Sequence, residues 1–313
     1  MKLRIFLFTV LLIAVFSGCN NPVDPDKTAP QINLSLTHDS LYVGQSWEGV
    51  TYLALDDADG DLTNQVTASG QVDSSSPGTY IISYSVSDKA GNSQSSACTV
   101  VVDIAPGLFA HYDFNGSADD RSGNSYDLNV FGATLTEDRN GRVKSAYNFD
   151  GTGYMVRDSV SFPLGKSAKT ITGWFRSSDR SVYQALFGLG IAREQKNFQT
   201  AMGPDGTDMV MRVNGWSLDW LTSLSAQDYF DNTWHHCAVT YDGTVTSIYM
   251  DGEKMEETSG YSYISDSSFM RIAVGIEIDL DGWNFRGDLD DVRIYSCALT
   301  DLQIKALYKL DEK

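Results

Sequence analysis

The sequence predicts an all-β protein. Three observations carry this. Gly, Ser, Thr, Tyr and Asp are abundant, no long stretch of 3.6-residue hydrophobic period appears before the C-terminus, and a dense hairpin signal sits at 234–252. There WHHCAVTYDGTVTSIYMDG reads as a strand-like run over 234–241, the turn Asp242-Gly243, a second run over 244–250 and the turn Asp251-Gly252. Asp-Gly accepts positive φ at low cost, so two such turns between β-rich runs describe a three-stranded antiparallel meander. In its first strand Cys237, Val239 and Tyr241 share one face, and His236, Ala238 and Thr240 the other. Both faces are apolar or small, as in a strand central to a two-layer sandwich.

With 313 residues the length favours two domains. The 41 acidic against 23 basic residues leave a formal charge of −18, which argues against a nucleic-acid partner. Affinity for phosphate comes largely from Lys and Arg displacing counterions.

Residues 1–19 read as an address. Lys2 and Arg4 precede an apolar run, Ile5 to Phe16, too short to span a bilayer comfortably. It ends in Phe16-Ser17-Gly18-Cys19, which resembles a bacterial lipobox with Phe where Leu is usual. The resemblance implies lipidation of Cys19 and contact with the membrane through that lipid alone. Asn20 in place of Asp implies the outer membrane or cell surface. Residues 20–29 form a polar, Pro-broken tether.

Residues 30–103 read as a small β-sandwich of short strands alternating with DDADGD, SSSPG and DKAGN turns. Over Thr79 to Ser87, Tyr80, Ile82, Tyr84 and Val86 line one face. TAPQINL, DDADGDLT and PGTYIISYSVSDKAGN resemble the bacterial Ig-like repeats found as stalks in secreted proteins. The acids Asp56, Asp57, Asp59 and Asp61 read as a solvated turn. An EF-hand starting at Asp57 would need Gly where Leu62 stands and Glu where Ala68 stands.

Residues 108–310 form the second domain. WHHCAVTYDG with its following strand, the opening DRSGN and YNFDG segments, KTITGWF with Trp174, and GDLDDVRIYSCALTDLQIKALY together resemble the laminin-G-like, concanavalin-A-like jelly rolls of bacterial surface proteins. The stretch from Arg193 to Asp231 is least like that family. Thr300 and Gln303 form a capping box for a closing helix whose stripe is Leu302, Ile304, Leu307 and Tyr308.

Adjacent strand residues point to opposite faces, so His235 and His236 cannot ligate one ion and read as packing residues. Cys98, Cys237 and Cys297 leave at least one free thiol, and a Cys237–Cys297 bridge is open. Asp290 shares strand parity with Val292 and Ile294 and therefore needs a buried partner, a cation or several N–H groups. The resemblance implies a structural calcium there, held with the Asp119–Asn124 turn through Asp120 and Asn124. Trp216, Trp220, Tyr261, Tyr263 and Trp283 are the candidate rings for a polysaccharide or surface glycan, because sugars stack their C–H faces on such rings. Glu277, Asp279 and Asp281 would share one strand face, the arrangement of a glycosidase, but the last acid is short of the usual Glu. The expected function is therefore a non-catalytic surface lipoprotein that binds carbohydrate. A protein-binding adhesin and a glycosidase using Glu277 and Asp279 are the alternatives.

Overall fold

A computed structural model of the chain describes residues 26–193, 196–205, 208–214, 220–222, 229–265, 270–280 and 282–310. These residues form two compact units, one from the described residues up to Thr37 with Val50–Ser69 and Ile82–Cys98, the other from His38–Gly49, Gly70–Ile81 and the described residues from Thr99 onward. Cys19 lies outside the described residues. Among the described residues no helix is long and apolar enough to cross a membrane.

Among the described residues seven strands come first: β1 (Gln31–Leu34), β2 (His38–Tyr42), β3 (Tyr52–Asp56), β4 (Gly60–Asp61), β5 (Thr67–Ser69), β6 (Gly78–Ser87) and β7 (Ser93–Asp103). They make two sheets, in the orders β1-β3-β4 and β2-β7-β6-β5, as an Ig-like region requires. In β6 the period-2 reading holds: Ile82, Tyr84 and Val86 are buried between exposed Ile81, Ser83, Ser85 and Ser87. Cys98 and Cys237 are buried and Cys297 is half-buried, and none of the three forms a disulfide.

The jelly roll supplies β8 (Leu108–Tyr112), β9 (Asn129–Phe131), β10 (Thr134–Thr136), β11 (Ala146–Asp150), β12 (Tyr154–Val160), β13 (Lys169–Arg176), β14 (Gln184–Gly190) and β15 (Asn197–Asp205). They are followed by β16 (Asp208–Asn214), β17 (Trp220–Thr222), β18 (His235–Tyr241), β19 (Val245–Met250), β20 (Glu253–Ser259), β21 (Met270–Val274), β22 (Arg286–Tyr295) and the helix α1 (Asp301–Tyr308). One sheet runs β10-β11-β22-β13-β18-β19-β20, with β8 also paired to β22. The other runs β17-β16-β15-β14-β21-β12-β9. Phe149, Phe175 and Val239 of the first sheet meet Phe187, Phe198 and Val274 of the second in one core. Gly173 makes the closest approach possible. A Cβ there would lie 2.8 Å from the Phe187 ring.

The meander forms where the sequence placed it, and β18 is buried on both faces. Its second turn is centred on Asp251 (φ +49°) and Gly252 (φ +77°), both left-handed, as in a type I′ hairpin. The first turn is shifted by one residue from the expected Asp242-Gly243. Tyr241 pairs with Thr246, so Gly243 and Thr244 are central, and Gly243 takes the positive φ of +105°. Asp242 instead caps the turn, its Oδ1 accepting from the N–H groups of Thr244 (2.7 Å) and Val245 (2.7 Å). His235 and His236 face opposite ways, as expected. His235 packs on Phe175 and bonds Asp251 at 2.9 Å, while buried His236 bonds Thr172 at 2.6 Å.

In α1 the capping box is present, and Ile304, Ala306 and Leu307 are buried. Leu302, expected in the apolar stripe, is 41% exposed. Tyr308 stacks on Trp174 with centroids 5.5 Å apart.

Candidate functional site: an aromatic platform beside an open cleft

The loops that join β21 to β22 and β13 to β14 converge at one end of the second sheet. Trp283 and Tyr183 stack there, and the Arg212 guanidinium from β16 lies 4.3 Å from the Tyr183 ring centre and 5.4 Å from that of Trp283. Arg212 also donates from Nη2 to the Tyr183 hydroxyl at 2.9 Å. A cation over two rings at these distances is attracted by their π faces. Tyr183 and Trp283 are half-buried, with Ser181 and Arg286 exposed beside them. An open cleft of about 510 Å³ is bounded by Ser181, Tyr183, Pro204, Trp283, Asn284 and Arg286.

Two glycines shape this end. A Cβ on Gly203 would fall 2.5 Å from a Tyr183 ring carbon and 2.6 Å from its Cα. One on Gly151 would fall 2.6 Å from the Arg286 guanidinium carbon. The loop carrying Trp283 is fixed by the backbone. Its carbonyl accepts from Ala185 N–H at 2.7 Å, and Arg286 N–H donates to Gln184 Oε1 at 2.8 Å. Gln184 is buried and donates in turn to the Asp179 carbonyl at 2.6 Å. Ser181 N–H and Oγ–H both bond the Asp179 carboxylate, which they hold below its usual pKa with help from Arg286. Trp283 itself takes φ +48°, a left-handed conformation that a bulky residue keeps only when its surroundings impose it. The rings are therefore positioned before any ligand arrives.

Of the expected ligand rings whose side chains are described, Trp283 is the one at this cleft. Tyr263 is corrected to a core residue. It is 1% exposed, packs edge-on to Phe198 and Tyr241 and belongs to the sandwich core. Tyr261 is half-buried against the same core. Trp220 opens β17, and Trp216 lies outside the described residues. Tyr183 and Arg212 were not anticipated. Tyr183 follows Val182 in a loop without a motif, and Arg212 falls in the segment least like the family.

Glu277 and Asp279 do not lie on a strand. Residues 277–280 form a turn closed by Leu280 N–H to the Glu277 carbonyl at 3.0 Å, with Leu280 at φ +65°. The shared strand face expected for this acid run is absent for that reason, and Asp281 lies outside the described residues.

The Asp290 expectation is corrected in its face. Between Thr172 and Trp174 of β13 the register slips against Arg293 and Asp290 of β22, and Asp291 takes φ +48°. This β-bulge inserts a residue, so Leu289, Val292 and Ile294 all reach the core while Asp290 turns to the opposite side. There its carboxylate meets the Arg139 guanidinium, which lies over Trp174 at 4.7 Å. Burial nevertheless pushes the Asp290 carboxyl up to about 8, against the pull of Arg139 and with Asp291 and Asp138 adding negative charge. Asp291 goes the other way. Arg293, His111 and Arg139 outweigh its burial and hold it far below the usual carboxylate range.

Asp120 and Asn124 sit in one turn beside β8. Asp120 accepts from the N–H groups of His111 (3.0 Å), Ser122 (2.9 Å) and Tyr126 (3.0 Å), which outweigh its partial burial and hold its pKa down. Asn124 donates from Nδ2 to the Phe109 carbonyl at 3.0 Å. The pairing of first and last jelly-roll strands is present as β8 on β22, with Arg293 opposite His111.

Residues 37–102 match the model of a bacterial surface protein Ig-like domain. No curated protein matches the chain. Among solved structures, the chain is similar to Domain 4 of AbnA, a GH43 extracellular arabinanase from Geobacillus stearothermophilus in complex with arabinotriose. The identity is 20% and the TM-score 0.51, over 64% of this chain and 98% of that one. It is also similar to the binding domain of Paraclostridial Mosquitocidal Protein 1, at 18% identity and a TM-score of 0.51, over 66% of this chain and 53% of that one. These likenesses describe the fold. The model of the concanavalin A-like lectin/glucanases superfamily matches residues 149–305, half of the chain, and the protein belongs to that superfamily.

Proposed function

We propose that the jelly roll is a carbohydrate-binding module without hydrolytic activity, displayed at the bacterial surface on the Ig-like region and anchored through a lipidated Cys19. The observation that carries the binding role is the Tyr183–Trp283 pair with Arg212 beside it, open to a cleft edged by Ser181, Asn284 and Arg286. Flat rings take the apolar C–H face of a sugar, and the surrounding hydroxyl, amide and guanidinium groups fix its hydroxyls. The arabinotriose bound to the arabinanase domain supports a glycan ligand in general. The superfamily contains lectins and glucanases alike, so the choice between them rests on the site. Binding without turnover is favoured because Glu277 and Asp279 lie in a tight turn and not on a common strand face.

The test is a glycan array, with arabinan among its probes, followed by affinity electrophoresis and a reducing-end assay on the ligands retained. Retention should fall in Trp283→Ala and persist in Glu277→Gln, with no reducing ends released. Steady release that Glu277→Gln abolishes would make the protein a hydrolase. Absence of retention on every glycan would instead point to a protein partner. The anchor is tested by mass spectrometry of the N-terminal peptide. Acylated Cys19 is expected, and Cys19→Ser should release the protein into the soluble fraction.

A further inference from the structure

We propose that the Ig-like region holds a divalent cation, with calcium the best match, between Asp26, Asp56 and Asp88. The three come from separate parts of the chain: Asp26 ahead of β1, Asp56 at the end of β3, and Asp88 just after β6. Their carboxylates bring one oxygen each to within 4.8 Å of one another. Asp56 and Asp88 are each 8% exposed. Three carboxylates this close, two of them withdrawn from water, repel one another unless a positive charge sits among them.

A separate observation points to what that charge is. The Asp56 carboxylate is used on one side only. Oδ1 accepts from the N–H groups of Ala58 at 3.0 Å and Asp59 at 2.8 Å, closing the turn. Oδ2 is buried and has no hydrogen-bond partner. A buried, unsatisfied carboxylate oxygen is costly in a native protein, and metal ligation satisfies it. The rest of the arrangement is already braced. Asn92 donates from N–H to Asp88 Oδ1 at 2.8 Å, and from Nδ2 to Asp88 Oδ2 at 2.7 Å and to the Asp26 carbonyl at 3.2 Å. Asp26 Oδ1 accepts from Thr28 N–H at 2.9 Å. An all-oxygen, carboxylate-rich set of irregular shape suits calcium, which accepts varied geometry. It suits magnesium less, since magnesium demands a near-ideal octahedron, and zinc less still, since zinc favours nitrogen and sulfur. The ion would clamp the segment entering the Ig-like region onto the ends of β3 and β6, so its loading would set the stiffness of that entry.

The experiment is calcium titration of the full chain by isothermal calorimetry, with thermal melts in calcium chloride and in EDTA. Wild type is compared with Asp56→Asn, Asp88→Asn and, as a control at an exposed acid of the jelly roll, Asp158→Ala. Asp56→Asn keeps an oxygen for the turn and removes the charge, and its melt in EDTA at or above that of wild type would show that it folds. Asp88→Asn serves as the second variant should the first misfold. The expected result is that Asp56→Asn and Asp88→Asn each bind one calcium fewer per chain than wild type and lose the associated rise in melting temperature, while Asp158→Ala keeps both. The proposal is overturned if wild type binds no calcium, or if Asp56→Asn and Asp88→Asn bind as many ions as wild type.

Discussion

Trp283 stacks on Tyr183 with ring centroids 5.1 Å apart and planes 26° from parallel. The pair joins two loops that are distant in sequence, and Arg212 closes its edge. Because the Trp283 loop is pinned to Gln184 and Ala185, the energy of ordering these rings is spent on folding and not on binding. Trp283→Ala should therefore weaken glycan retention by about 2 kcal/mol, roughly thirtyfold in Kd, the scale of a central aromatic contact. Retention equal to wild type in affinity electrophoresis would remove Trp283 from the site.

Gly203→Ala tests the platform without touching a ligand contact. The new methyl would collide with the Tyr183 ring and its Cα, and a backbone atom cannot swing away as a side-chain end can. Tyr183 must shift off Trp283 and Arg212, at a cost of about 1–3 kcal/mol in stability for an overpacked site. The expected outcome is a lower melting temperature together with weakened retention. A variant that melts lower but binds as wild type would show that Tyr183 does not contribute.

How far these features could be read from sequence depends on how local their cause is. The meander was legible because an Asp-Gly turn and a period-2 pattern are both written in adjacent residues. Its first turn moved by one because glycine is needed at the central position with positive φ, and Asp242 was better used as a cap. The face of Asp290 was not legible: parity counting assumes an unbroken ladder, and the bulge at Asp291 breaks it. Tyr263 looked like a surface ring because nothing in its neighbours reveals that it belongs to the core. The Tyr183–Arg212–Trp283 grouping depends on which loops the sheet order brings together, which no single stretch records. The same holds for Asp56, read along its own turn as a solvated acid, while the structure sets Asp26 and Asp88 across from it.

The Arg139 guanidinium faces Asp290 and comes within 3.5 Å of Asp291, and the side chains of all three are about nine-tenths buried or more. Arg139→Met would remove the guanidinium that faces Asp290, while Asp291 keeps Arg293 and His111, and breaking such a buried pair costs about 3–5 kcal/mol. Asp290→Asn should cost distinctly less, because burial already favours the neutral form of that carboxyl and Arg139 keeps Asp291. Urea unfolding of the two variants should rank them in that order. Equal loss in both would mean that the Arg139–Asp290 contact, and not the charge balance, sets the stability.

His236 provides a pH signature. It is buried on the outer face of β18, bonded to Thr172 at 2.6 Å and flanked by the rings of Trp174 and Tyr308. Burial lowers its pKa to about 4, from 6.5 for a free histidine, against the opposite pull of Asp291 and Asp251. Between those values the unfolded chain binds a proton that the folded chain refuses, so stability falls as pH drops. The contribution is complete above about 6.5 and is lost as pH falls toward about 4, to the extent of about 3 kcal/mol. His236→Gln keeps a hydrogen-bonding group toward Thr172 and cannot titrate. Denaturant unfolding at pH 6.5, 5.5 and 4.5 should show a steeper loss in wild type than in the variant. Parallel slopes would show that His236 does not contribute to the acid sensitivity of the jelly roll.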